Sequence, residues 1–143
     1  MLSLWQDDDE QREHTLIVAT ATTVYGIPVA QVREVLRPTA IVRVPGAAAC
    51  TVGIVNVRGA IVTVLDLSAL ISGERAVTTG SIVLLEYGTR LIGLAVQTVR
   101  DVREEHAADA LVSDSPADHE VVVPLDAVAL CARHLLSFQE IAQ

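Results

Sequence analysis

Three groups of residues in this chain are of types that can do chemistry. Asp66 and Asp126 occupy matching surroundings, "VTVLDLSAL" at 62–70 and "VVPLDAVAL" at 122–130. Two equivalent aspartates could share a proton, the arrangement aspartic proteases use for hydrolysis. Cys131 and His134 form one Cys-x-x-His pair in "CARH", with Cys50 as the second thiol. Arg58, with Gly59 beside it, stands in the middle of "GIVNVRGAIVTVLDL" at 53–67, an almost wholly apolar stretch.

The flanking residues sort these groups. Each aspartate ends a strand-like run and precedes a short helical pattern, "DLSALI" or "DAVALC". An aspartate there reads as an N-cap that accepts backbone N–H bonds. Neither has the small residue and glycine expected after a catalytic aspartate. A small hydrolase using Asp66 and Asp126 therefore stands only as the alternative enzyme reading, and no nucleophile–base constellation supports it. Cys50 and Cys131 lie in apolar surroundings and read as buried, reduced thiols. The histidines, His14, His106, His119 and His134, are scattered. One Cys-x-x-His without a second pair does not make a metal site, so no metal and no cofactor are expected.

Arg58 falls where one β run meets the next. Asn56 and Gly59 in "NVRG" form turns, and Gly59 can take positive φ without steric cost. A tight connection there lifts Arg58 out of the apolar stretch while its stem lies along it. The arginine is then either a solvated turn residue or an anchor over a shallow apolar groove.

Composition narrows the function classes. The chain has 143 residues, enough for one domain with a real core. It is 51% hydrophobic but only 3% aromatic, so the core is aliphatic and lacks platforms for stacking bases. The net charge of −8 argues against nucleic acid and anionic membrane as partners. Every basic residue is arginine, which excludes a Schiff-base or P-loop lysine. The start, "MLSLWQDDDE", lacks a basic n-region and does not read as a signal peptide. The uncharged stretch 14–32, broken by Gly26 and Pro28, is a poor membrane span. A cytoplasmic protein is expected, with residues 1–14 as a flexible acidic tail and 15–143 as a single domain.

The elements that must position these residues are short. β-branched runs of strand length, such as "TLIVAT" (15–20) and "VGIVNV" (52–57), alternate with turn formers. "SIVLLEYG" and "RLIGLAV" (81–96) form a hairpin signature around Gly88 and Thr89. The chain also repeats itself. "GIPVAQVREV" at 26–35 matches "GLAVQTVRDV" at 93–102, and the two aspartate blocks follow in the same order. This predicts an all-β fold of two small β-barrel subdomains related by a pseudo-twofold, packed on a shared aliphatic core. The first barrel spans roughly 15–70 and the second roughly 81–130. The second copy has the polar "AADALVSDSPADHE" (107–120) where the first has a strand, so the second barrel is expected to be one strand short. A C-terminal helix over 127–142 places Val128, Cys131, Leu135, Phe138 and Ala142 on one core-facing side.

"YGIPVAQVREVL" (25–36), "VPGAAACTVGIVNVRGAIVTVLDL" (44–67) and "SIVLLEYGTRLIGLAVQTVRDV" (81–102) resemble the CheW-like adaptor domain of bacterial chemotaxis. The resemblance rests on the pattern Y-x-I-x-x-x-x-V-x-E-V, then V-P, then G-x-x-N-x-R-G-x-[IV]-x-x-[VL]-x-D-L. It implies twin five-stranded barrels and a non-catalytic coupling protein. Its partners would be the cytoplasmic tip of a chemoreceptor and the regulatory domain of a CheA-type histidine kinase, within receptor arrays. It implies a receptor groove between the barrels, with matching positions Val32, Glu34, Gly53, Asn56, Arg58 and Gly59. Val32 would lie on its floor, and Glu34 would pair with Arg58 across it. The shortened second barrel departs from the family pattern, in which that barrel serves kinase and ring contacts. Two binding-protein readings follow: an adaptor that couples receptor to kinase, or a divergent regulator or assembly protein without kinase contact. An exposed strand edge on the short barrel would also allow self-association.

Overall fold

The computed structural model describes residues 12–38, 40–76, 78–106 and 121–142. Three hairpins organise it. β1 (Arg12–Ala19) pairs with β2 (Val24–Pro28), β4 (Thr51–Val57) with β5 (Ala60–Asp66), and β6 (Ser81–Tyr87) with β7 (Arg90–Val96), all antiparallel. A single 3-10 turn, Val29–Gln31, leads from β2 into β3 (Val32–Leu36). α1 (Leu67–Ser72) follows β5, and β8 (Thr98–His106), β9 (Val122–Pro124) and α2 (Ala127–Ala142) complete the chain. The Gly88–Thr89 turn falls where the sequence puts it, with Tyr87 opposite Arg90.

Two sheets form, in the orders β8-β1-β2-β9 and β3-β6-β7-β5-β4. They do not divide the chain between 70 and 81. The first hairpin, β1-β2, is flanked by β8 and β9 from the second half. The hairpin β6-β7 is flanked by β3 and β5 from the first half. Contiguous barrels at 15–70 and 81–130 are thus replaced by an exchange of strands. Each sheet would lose both flanks of its central hairpin without the other half, so neither half buries enough apolar surface alone.

The exchange obeys the internal repeat residue by residue. Ile17 faces Gly26 as Leu84 faces Gly93, and Gly26 faces Pro124 as Gly93 faces Val64. The V-R-acid-V motif breaks register the same way in both copies. Val32 and Glu34 face the successive residues Leu85 and Leu84, which leaves Arg33 as the extra residue. Val99 and Asp101 face Val18 and Ile17, which leaves Arg100. Each arginine is the inserted residue of a β-bulge.

Strand alternation accounts for three cores. Val83 and Leu85 of β6, with Leu16 and Val18 of β1, face a cluster shared by both sheets and covered by Ala127 and Cys131 of α2. Ile82 and Leu84 point to the opposite face of β6, into a second cluster with Val55, Val57, Val62 and Val64. Ile17 and Ala19 likewise turn to a third, with Val24. Strands apolar on both faces read as continuous hydrophobic runs because both faces are covered. The helix over 127–142 forms as expected, with Cys131 buried and Val128 and Leu135 packed beside the shared core. Side chains from 136 onward, Phe138 and Ala142 included, lie outside the described residues. The same holds for 107–120, where the absent strand of the second copy would fall. Among the described residues, one sheet has five strands and the other four. No described helix is long and apolar enough to cross a membrane.

Candidate functional site: a groove between two sheet edges

The turn between β4 and β5 consists of Arg58 and Gly59, with Val57 opposite Ala60. Both turn residues have positive φ, 49° and 88°. Two successive positive φ values are what a tight hairpin turn needs to match strand twist. Glycine adopts them freely; an arginine does so only against steric resistance from its Cβ. Two contacts hold it there. Asn56 Oδ1 accepts the Gly59 N–H at 2.8 Å. Arg58 donates from Nη1 to Glu34 Oε1 at 2.6 Å and from Nη2 to Oε2 at 3.0 Å.

That fork-to-fork pair joins elements far apart in the sheet order. Glu34 lies on β3 and Arg58 follows β4, the first and last strands of the five-stranded sheet. The sheet must therefore curl until its edges come within side-chain reach of each other. The chain between those edges helps to close it. Val42 and Ile54 exchange backbone hydrogen bonds of 2.8 Å each way. The pair is also the main electrostatic feature of the site. Hydrogen bonds from Arg58 hold the Glu34 carboxyl below its ordinary value of 4.5; desolvation opposes them, and the charges of Arg58 and Arg33 add to the lowering. Glu34 in turn raises the Arg58 guanidinium further.

Beside the pair runs a groove of about 280 Å³, lined by Leu36, Arg37, Val55, Asn56, Val57, Arg58 and Ile82. Its apolar lining belongs to the second core cluster, of which Val55, Val57 and Ile82 are buried members. Of the six expected groove residues, Asn56 and Arg58 line it. Glu34 holds Arg58, and Gly59 completes the turn. The other two lie outside this lining. Val32 is half-buried and packs against the shared core. Gly53 is buried, and a Cβ there would collide with the Val42 carbonyl oxygen and come within 2.9 Å of Ile41 Cγ2. Its glycine admits the 41–42 segment across β4. The groove's lining comes from the five-stranded sheet, the turn after β4 and the residue after β3. The residues missed by motif, Leu36, Val55, Val57 and Ile82, carried an available signal, since they alternate along strands toward one face.

The other chemical candidates separate. Asp126 Oδ1 accepts the Ala129 N–H at 3.0 Å, as an N-cap should, and also the Gln31 Nε2–H at 2.8 Å. Asp66 stands at the N-cap position of α1 but makes no side-chain cap bond. Its buried Oδ2 instead accepts the Ala76 N–H at 2.7 Å and pins the following loop. The repeat-equivalent aspartates thus have unrelated partners and different exposure. Cys50 Sγ lies 3.3 Å from His134 Nδ1 and 3.1 Å from Nε2, linking the segment before β4 to α2. Burial pushes the Cys50 thiol up, and the charge of Asp66 adds to it. Burial, with Cys50 nearby, pushes Cys131 up to about 12. Among the described residues, no three His, Cys, Asp or Glu side chains gather to hold a metal ion.

A curled five-stranded sheet with an exchanged partner sheet thus carries a groove rimmed by arginine. The model of the CheW-like domain family matches residues 14–119, and the chain belongs to that family. The chain is similar in fold to the scaffolding protein TtCheW from Thermoanaerobacter tengcongensis. That likeness has a TM-score of 0.70 at 20% identity, covering 82% of this chain and 86% of that one. No protein of curated function matches the chain by sequence.

Proposed function

We propose that this protein is a non-catalytic chemotaxis adaptor that works in the cytoplasm, takes the helical tip of a chemoreceptor in the groove, and couples it to a CheA-type histidine kinase. The Glu34–Arg58 pair beside an aliphatic groove carries the reading. A helix laid in such a groove buries apolar side chains while an arginine at the rim makes planar, charge-assisted contacts. Glu34 sets the guanidinium in one orientation beforehand, which lowers the ordering cost of binding. Kinase coupling and array assembly rest on the family alone. Self-association through the four-stranded sheet draws on the exposed Val102 on its edge strand β8 and Val123 on β9.

Co-purification with a receptor-tip fragment and with a CheA-type kinase, each with wild type and Arg58→Ala, tests the reading. The wild type is expected to retain the receptor fragment, and Arg58→Ala to weaken it by about thirtyfold, the scale of an interface hot spot. Equal receptor binding by both forms would remove Arg58 from the interface. Receptor binding without kinase binding would favour a regulator or assembly protein over a coupler. Solution mass at rising concentration tests self-association separately, and a strict monomer would rule it out.

A further inference from the structure

The groove carries two arginines in different electrostatic states. Arg58 is matched by Glu34. Arg37 lines the same groove and is exposed, and among the described residues no carboxylate pairs with it. Its neighbours explain its placement. Leu36 packs into the cluster beneath the groove and anchors the end of β3. Pro38 follows, and the residue before a proline is held in extended backbone. Arg37 is thus fixed at the rim by an apolar anchor on one side and a stiff residue on the other. Of the two arginines that line the groove, Arg37 is the one whose charge is left for a partner.

We infer that Arg37 is a specificity-determining residue of the groove, and that the helix it accepts carries a carboxylate three or four positions from the aliphatic side chain seated on Val55, Val57 and Ile82. Residues at that spacing lie on one helix face. The apolar floor takes the first, and the unmatched guanidinium takes the second. A helix with a cation at that position is rejected, because like charges meet at the rim. The inference rests on the receptor-tip reading and adds to it the charge that the tip must present.

The probe is a chemoreceptor cytoplasmic-tip fragment, expressed as its antiparallel coiled coil and titrated into the full chain. Arg37→Glu is expected to weaken binding by about tenfold, and Arg37→Lys to stay within about threefold of wild type. Wild-type affinity should fall with added salt more steeply than that of Arg37→Gln. Changing the tip's exposed Glu and Asp residues singly to amides should reveal one that weakens wild type and leaves Arg37→Gln unaffected. Arg90→Glu, an equal change of net charge at the exposed first residue of β7, should remain within about twofold of wild type. If Arg37→Glu binds like wild type while Arg58→Ala is weakened, the inference fails and the receptor-tip reading stands. If Arg90→Glu is weakened as much as Arg37→Glu, bulk charge is responsible and the inference fails. If the fragment does not bind wild type at all, both fall.

Discussion

Glu34 and Arg58 sit on opposite edges of one sheet, and their bidentate ion pair brings those edges together beside the groove. The pair has two roles. It closes a curled sheet, and it presents a guanidinium whose orientation is set before a partner arrives. Both roles use a turn residue with positive φ, so the conformation of Arg58 and its function are linked.

That link separates stability from binding at position 58. Arg58→Ala and Arg58→Gly both remove the guanidinium, so both should lose receptor-tip affinity to the same extent. Only glycine relaxes the positive-φ turn. The glycine variant should therefore melt about 3–5 °C above the alanine variant. Thermal denaturation followed by circular dichroism would show it, and equal melting temperatures would mean that the turn is unstrained.

The pair also gives a pH dependence with a definite sign. The folded-state value of Glu34 is lowered, so its contribution is complete above the ordinary 4.5 and is lost as pH falls through the lowered value. Urea midpoints of wild type and Glu34→Gln should differ by a constant amount above 4.5 and converge below it. A difference that persists unchanged into strong acid would contradict the pairing.

Gly53 makes no groove contact, yet its replacement should be among the costlier changes in the chain. A methyl group there meets the backbone of Val42, which is held by two hydrogen bonds to Ile54 and cannot easily withdraw. Gly53→Ala should lower stability by about 1–3 kcal/mol. Equilibrium unfolding in urea would measure it, and a neutral outcome would mean that the 41–42 segment is free to move.

The two repeat-equivalent aspartates should respond differently to the same substitution. Asp126→Asn keeps an oxygen for the Ala129 N–H, whereas Asp126→Ala removes the cap and should cost about 0.5–2 kcal/mol. Asp66→Ala leaves the Ala76 N–H without its acceptor in a buried setting and should cost about 1–3 kcal/mol. Hydrogen exchange at the two amides distinguishes the cases: Ala76 should lose protection in one variant and Ala129 in the other.

Thiol labelling should discriminate Cys50 from Cys131. Cys131 is fully buried with its thiol pushed up to about 12, so it has neither access nor thiolate at neutral pH. Cys50 is only half-buried. Maleimide labelling read by peptide mass should modify Cys50 in the native protein and Cys131 only after unfolding. Labelling of Cys131 at the same rate would show that α2 detaches readily from the shared core.

Much of the fold was legible because it is local. The hairpin at Gly88–Thr89, the turn at Arg58–Gly59 and the helix after Asp126 each depend on a few adjacent residues. The V-R-acid-V repeat marked two equivalent bulges, and the scarcity of aromatics and absence of lysine narrowed the function classes before any contact was known. The site was legible in part. Asn56, Arg58 and Glu34 came from a motif, while the aliphatic lining and Arg37 did not, because a strand's alternation says which residues share a face but not what that face meets.

By itself the sequence determined most of the strands and turns, the internal symmetry and the turn that lifts Arg58 from an apolar run, since these follow from side-chain periodicity and backbone sterics within a few residues; "AIVRVP" (40–45) reads as a strand yet forms only an isolated bridge at Val42. Only the tertiary structure decided that the halves exchange strands, that side chains bridge the edge strands β3 and β4, that Gly53 serves packing, and that Asp66 holds a loop instead of a helix. Aliphatic strands of similar length and composition could pair in many orders with similar burial. Which order is realised depends on contacts between residues far apart in the chain, which no local pattern records.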